Sequence, residues 1–173
     1  MTDFSNIQLS FEEIPRAEKI NYLPLDNKYL YVLLTNVFIF FIVIVAILVY
    51  LWTIIDKSWF TNNFQWFLLG VLLIFVINFA YLFKAFGYKG YAFRQRDISY
   101  KTGWLWRSVT TVPFNRVQHC EVSQGIFDRY FKLAKLKIYT AGGSSSDVVV
   151  PGLELDQATE LKDFILEKIK EDE

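Results

Sequence analysis

Two stretches decide the architecture of this chain: Tyr29–Ile55, YLYVLLTNVFIFFIVIVAILVYLWTII, and Phe64–Phe83, FQWFLLGVLLIFVINFAYLF. Apolar residues fill 24 of 27 and 17 of 20 positions, and neither stretch holds a Lys, Arg, Asp, Glu or His. A helix rises about 1.5 Å per residue, so the first reaches about 40 Å and the second about 30 Å, against a hydrocarbon core of about 30 Å. Each is long enough to span. Aromatic residues gather near the ends (Tyr29 and Tyr31, Tyr50 and Trp52, Trp59 and Trp66, Tyr81 and Tyr88), where rings with a polar tip settle at headgroup level. A secretory signal would carry a shorter apolar run behind a basic stretch. Residues 1–28 instead hold three basic and five acidic side chains, which predicts an uncleaved anchor.

Outside the two runs, apolar residues fall to about 40% of the remaining 126 of 173, slightly below an ordinary soluble domain. This excludes a soluble single-core enzyme, a disordered chain and a multi-span transporter, and leaves a small membrane protein with one modest water-facing domain. Formal charge is zero, 18 basic against 18 acidic, but residues 84–137 carry a net +8 and residues 138–173 a net −6. Arg16, Lys19 and Lys28 precede the first run, Lys57 lies between the runs, and Lys84, Lys89, Arg94, Arg96 and Lys101 follow the second. The positive-inside rule then predicts a multi-pass hairpin in a cytoplasmic membrane, both termini cytoplasmic and loop 56–63 outside. Asn36 and Asn78 come at similar depth in such a hairpin; they are read as an interhelical hydrogen-bonded pair beside Gly70, with a substrate or ion path as the alternative.

After Phe83 the period changes from helical to alternating: Ile98 and Tyr100, then Leu136 and Ile138, interleave with polar residues. Breaks at Gly87 and Gly90, Gly103, 113–115, Gly125, 141–147 and 151–152 suit a mostly antiparallel sheet folded into a sandwich or barrel. Gly142 and Gly143 with three serines read as a hairpin tip, since no Lys and Ser/Thr pair follows to make a phosphate loop. From Asp156, the expected N-cap, Ala158, Leu161, Ile165 and Ile169 form the stripe of a closing helix. The expected units are an arm over 1–28, a hairpin over 29–83 with spans 29–55 and 64–83, and a domain over 84–173. Ile14, Ile20, Tyr22 and Leu23 of the arm are available to pack on the domain or on a partner.

The run from Val112 to His119, then Gln124, Gly125, Arg129, Phe131, Leu133, Ala134 and Leu136, and the Thr140, Ala141, Gly142, Gly143 turn, resemble the pleckstrin-homology-like (bacterial PH) domain of YdbS-type membrane proteins. The order of parts agrees along nearly the whole chain. Lys132 departs from the pattern, where the family often has Gly between Phe and Leu. The resemblance implies a PH-like β sandwich capped by a C-terminal helix at the inner face of a bacterial membrane, without catalytic residues. It also implies a hetero-complex with a larger membrane protein bearing several such domains, and a link to antimicrobial-peptide tolerance or export.

Cys120 has no cysteine to pair with, and no Cys and His stand at zinc-ligand spacing, so neither disulfide, metal nor cofactor is expected. His119 and Cys120 are neighbours on a strand and point to opposite faces, which rules out a dyad between them. Arg116, Gln118, His119, Gln124, Gly125 and Arg129 read as a polar cluster organising a turn or meeting a partner. Lys84, Lys89, Arg94, Arg96 and Lys101 are the candidate lipid-facing cations; Lys132, Lys135 and Lys137 are expected to pair with the acidic terminal helix. Nucleic acid and small-molecule substrates are not expected. The predicted function is non-enzymatic: protein–protein assembly at the inner membrane, as a hetero-complex or homo-oligomer, with anionic-headgroup binding as the alternative.

Overall fold

The computed structural model describes residues 20–55, 58–141 and 148–171. The Gly142–Gly143 turn, most of the arm including Ile14, and Lys57 lie outside these residues. Strand β1 (Leu23–Pro24) leads into helix α1 (Asn27–Ile54), which Asp26 caps by accepting the Lys28 N–H at 2.7 Å. Helix α2 (Ser58–Gly87) returns antiparallel to it, with Phe41 against Phe75 at 5.1 Å and Trp52 stacked on Phe64 at 5.5 Å. Both helices are long and apolar enough to cross a membrane, and most of their side chains face outward, as hydrocarbon contact requires.

Strands β2 (Gly90–Phe93), β3 (Asp97–Thr102) and β4 (Ser108–Pro113) complete an antiparallel sheet in the order β1-β2-β3-β4. A 3-10 turn at Phe114–Arg116 carries the chain to a second antiparallel sheet, β5 (Val117–Ser123), β6 (Leu133–Thr140) and β7 (Val148–Glu154), with the short helix α3 (Ile126–Tyr130) between β5 and β6. Helix α4 (Leu155–Glu171) closes over β5, β6 and β7. The two sheets stack as a PH-like sandwich with a C-terminal helix, not as a closed barrel. Alternation explains the packing: Leu136 and Ile138 of β6 point inward with Ala158 and Ile165 of α4, all with no solvent exposure. Helix α4 starts one residue before Asp156, because Gln157 Oε1 reaches back to the Glu154 N–H at 3.4 Å in the manner of a capping box.

Two findings differ from the pattern of breaks. Pro151 and Gly152 do not end a strand: β7 runs through them, with Gly152 at φ +68° beside a register shift between Ala134 and Leu136. The core also does not stop at the domain. Leu25, Tyr29 and Val32 are buried in one cluster with Ile98, Leu133, Leu153 and Ala158, so the first two turns of α1 pack inside the sandwich. The pair expected of Asn36 and Asn78 is not joined. Asn36 Nδ2 donates to the Val32 carbonyl at 2.8 Å, satisfying itself within its own helix, and Asn78 is exposed on α2.

Candidate functional site

The end of α2 and the tip of the β3–β4 hairpin meet. Gly90, three residues beyond α2, pairs with Lys101, so β3 carries the chain back toward the helix and the tip at 103–107 lies beside it. Gly103 holds φ +93°, and a methyl group there would collide with the Trp106 carbonyl, so this turn requires glycine. The Trp104 ring lies 6.0 Å from Tyr81, Lys84 Nζ sits 5.0 Å over the same indole, and the Arg107 guanidinium sits 5.3 Å over Tyr88. Such cation–π contacts are worth about 0.5–1 kcal/mol at exposed sites. Leu105 and Trp106, 60% and 84% exposed, project from the tip.

The five candidate lipid-facing cations differ in environment. Lys84 lies over Trp104, Lys89 over Tyr29 at 5.5 Å and Lys101 over Tyr22 at 5.3 Å. Burial pulls the Lys89 pKa down. Arg94 closes on Asp97 through two hydrogen bonds of 2.6 Å. Arg96 is exposed and makes no ion pair among the described residues.

The turn around Gly125 gathers part of the expected cluster and adds a residue outside it. Gln124 Nε2 donates to the Leu133 carbonyl at 2.7 Å, and the Gly125 N–H donates to Asp128 Oδ2 at 3.0 Å. Asp128 is only 2% exposed and pairs with Lys135 at 2.9 Å. The acidic residue three positions after Gly125 is the sequence signal that identifies this cap. Arg129 is exposed on α3; Arg116 and Gln118 are exposed at the start of β5, where the Arg116 carbonyl accepts the Ala141 N–H at 3.4 Å. His119 lies on the outer face of β5, stacked on Tyr139 at 4.2 Å. On that face Glu121 accepts from Lys137 at 3.1 Å and from Tyr139 at 3.0 Å, which hold its carboxyl below the usual range. Lys135 and Lys137 therefore pair with Asp128 and Glu121 rather than with α4, because cross-strand and turn neighbours are closer than the helix on the opposite face.

Lys132 adopts φ +58°, the left-handed region that costs a side-chain-bearing residue about 1–2 kcal/mol. Lys132→Gly removes that strain against a backbone-entropy cost of about 0.5–1 kcal/mol, so a net gain of about 0.5–1 kcal/mol is expected in a thermal melt.

The sequence matches the bacterial PH domain family over residues 14–169. The chain belongs to the bacterial PH domain family. It is 35% identical over 75 residues to the UPF0699 transmembrane protein YdbS of Bacillus subtilis (strain 168), a match covering 43% of this chain and 45% of that relative. The chain thus spans under half of the relative's length. A crystal structure of a DUF1696 family protein with a pleckstrin-homology domain from Shewanella loihica PV-4 covers 47% of this chain and 70% of its own, at 20% identity and a TM-score of 0.36.

Within this bacterial PH domain, Cys120 turns toward α4 and burial pushes its thiol up to about 11. At pH 8 the thiolate is then far scarcer than for a thiol near 9, and although a more basic thiolate is the better nucleophile, iodoacetamide should modify Cys120 at least about tenfold more slowly in the folded protein than in urea. Among the described residues no three His, Cys, Asp or Glu side chains converge to hold a metal ion. A polar hollow of about 350 Å³ lies between α1 and α4, where Lys28, Gln124, Arg129 and Lys132 face Glu154 and Asp156. Lys28 bridges to Glu154 at 3.4 Å, leaving Arg129 and Lys132 without an ion pair among the described residues. The hollow can hold an anionic group, but its own acids balance much of the charge.

Proposed function

We propose that this chain is a non-enzymatic protein of the bacterial inner membrane whose PH-like domain acts as an assembly subunit. In this reading α1 and α2 cross the bilayer, both ends of the chain lie in the cytoplasm, and the 29–83 hairpin holds the 84–173 domain at the inner face, with residues 20–33 contributing to the domain's core. The larger membrane protein with several such domains, implied by the resemblance, is the expected partner.

The edge of β4 carries the proposal. β4 is the last strand of its sheet, Ser108 through Thr111 are exposed, and Ser-Val-Thr-Thr-Val has no charge and no proline before Pro113. An uncharged β-branched edge with open N–H and C=O groups is a template for a strand from another chain. A photo-crosslinking residue at Val109 in native membranes should yield one discrete adduct with a second polypeptide, and one at Glu160 on α4 should not. Absence of an adduct at Val109, or equal labelling at both positions, would count against strand pairing.

A second reading, recognition of anionic headgroups by Lys84, Lys89, Arg94, Arg96 and Lys101, draws on the +8 surplus of residues 84–137 and on about 1 kcal/mol for each cation near an anionic leaflet. It is the weaker of the two because Asp97 already neutralises Arg94. Arg96→Glu with Lys101→Glu should then leave assembly unchanged at every salt concentration.

A further inference from the structure

We infer that the β3–β4 tip, Trp104-Leu105-Trp106, is an interfacial anchor inserted into the inner leaflet, where α2 leaves the bilayer, with Ile126 and Tyr130 of α3 as a second foothold beside α1. The inference rests on the membrane-spanning reading above.

Depth is fixed by the helices. Trp52 and Phe64 stack at the far end of the hairpin. A hydrocarbon layer takes about twenty residues of helix, which puts the near boundary close to Val32 on α1 and Lys84 on α2. Trp104 touches Tyr81 and lies under Lys84, so the tip meets α2 at that boundary. On the α1 side, Phe131 stacks on Tyr31 at 6.3 Å and Tyr130 meets Phe131 edge-on at 5.2 Å, so α3 stands at the same level.

The chemistry of both places suits a lipid surface. Trp106 is 84% exposed, Ile126 86% and Tyr130 80%, far beyond what a water-facing turn needs. Tryptophan and tyrosine prefer the headgroup region, where the ring meets acyl chains and the N–H or O–H meets water. Each place also carries cations able to meet phosphates, Lys84 and Arg107 at the tip and Arg129 and Lys132 beside α3. The Gly103 turn holds the tip in a fixed shape, so insertion costs little ordering.

The test uses the full chain in nanodiscs of mixed phosphatidylcholine and phosphatidylglycerol. A nitroxide is attached through Leu105→Cys in a Cys120→Ser background that keeps every tryptophan, with separate labels at Ile74 on α2 and Val109 on β4. The labels at 105 and 74 are expected to collide with oxygen more than with a water-soluble nickel complex, and the label at 109 to do the reverse. Position 105 reading as water while 74 reads as lipid would overturn the anchor and leave the spanning helices intact; both reading as water would overturn the spanning reading itself. As a second measurement, a chain with Trp106 as its sole tryptophan should lose most of its emission to bromine-bearing acyl chains and little to iodide in the buffer. The opposite pattern would also overturn the anchor.

Discussion

Gly152→Ala is expected to destabilise the full chain by about 3–4 kcal/mol, read as a lowered unfolding midpoint in nanodiscs. Two costs combine. At φ +68° any side chain costs about 1–2 kcal/mol, and overpacking of a filled core costs about 1–3 kcal/mol more. The added methyl group would lie 2.7 Å from Tyr29 Cβ and 2.9 Å from Cγ, in the body of a buried ring that is held by its helix. The position matters because the Gly152 carbonyl also accepts the Asp26 N–H at 3.3 Å, just ahead of α1. Displacing Tyr29 therefore disturbs the seam between hairpin and sandwich. Tyr29→Ala in the same chain should relieve only the contact with Cγ and the ring, because alanine keeps the Cβ atom at 2.7 Å, so a partial non-additivity is expected and the backbone part of the penalty stays.

Lys135→Met is expected to cost about 3 kcal/mol, more than any other single charge removed from the surface of the domain. Asp128 is buried, its Oδ2 takes both the Gly125 N–H and the Lys135 ammonium, and its Oδ1 has no partner among the described residues. Removing Lys135 leaves a buried carboxylate balanced by a single backbone donor. Asp128→Ala should cost about 1–3 kcal/mol, because it strands the Gly125 N–H but no charge. The double variant should be less destabilised than the sum of the two, whereas Lys137→Met on the outer face should change stability by less than about 1 kcal/mol. Equal losses for Lys135→Met and Lys137→Met, measured by urea unfolding, would show that burial of Asp128 is not what makes its ion pair matter.

Much of this architecture is legible in the sequence because its signals are local. The apolar runs, the alternation through Ile98 and Leu136, and the stripe of Ala158, Leu161 and Ile165 each follow from one element's own periodicity. The remainder depends on which elements come together. Tyr29 and Val32 read as part of a membrane helix, since nothing in an apolar run separates a residue facing lipid from one facing a protein core. The pair 151–152 reads as a break, since proline and glycine mark a bulge as readily as a strand end. Of the polar residues near Gly125, Gln124 and Gly125 meet as their spacing suggests; His119, Gln118 and Arg116 do not, because strand geometry carries them to the far end of β5. Trp104 and Trp106 stand out as two tryptophans after a glycine, but only the pairing of Gly90 with Lys101 brings them beside Tyr81.

The start of α1 and the residue pair ahead of it share one hydrophobic core with the sandwich through Leu25, Tyr29 and Val32. These three side chains contribute about 5–9 kcal/mol at about 1.5–3 kcal/mol each, comparable to the whole stability of an ordinary domain at about 5–15 kcal/mol. Urea unfolding of two soluble pieces tests it most directly: residues 87–173 alone, and the same piece with residues 20–33 joined ahead of it by a flexible linker. A cooperative transition is expected for the longer piece and little or none for the shorter; identical midpoints and slopes for the two would show that residues 20–33 are not part of the domain's core.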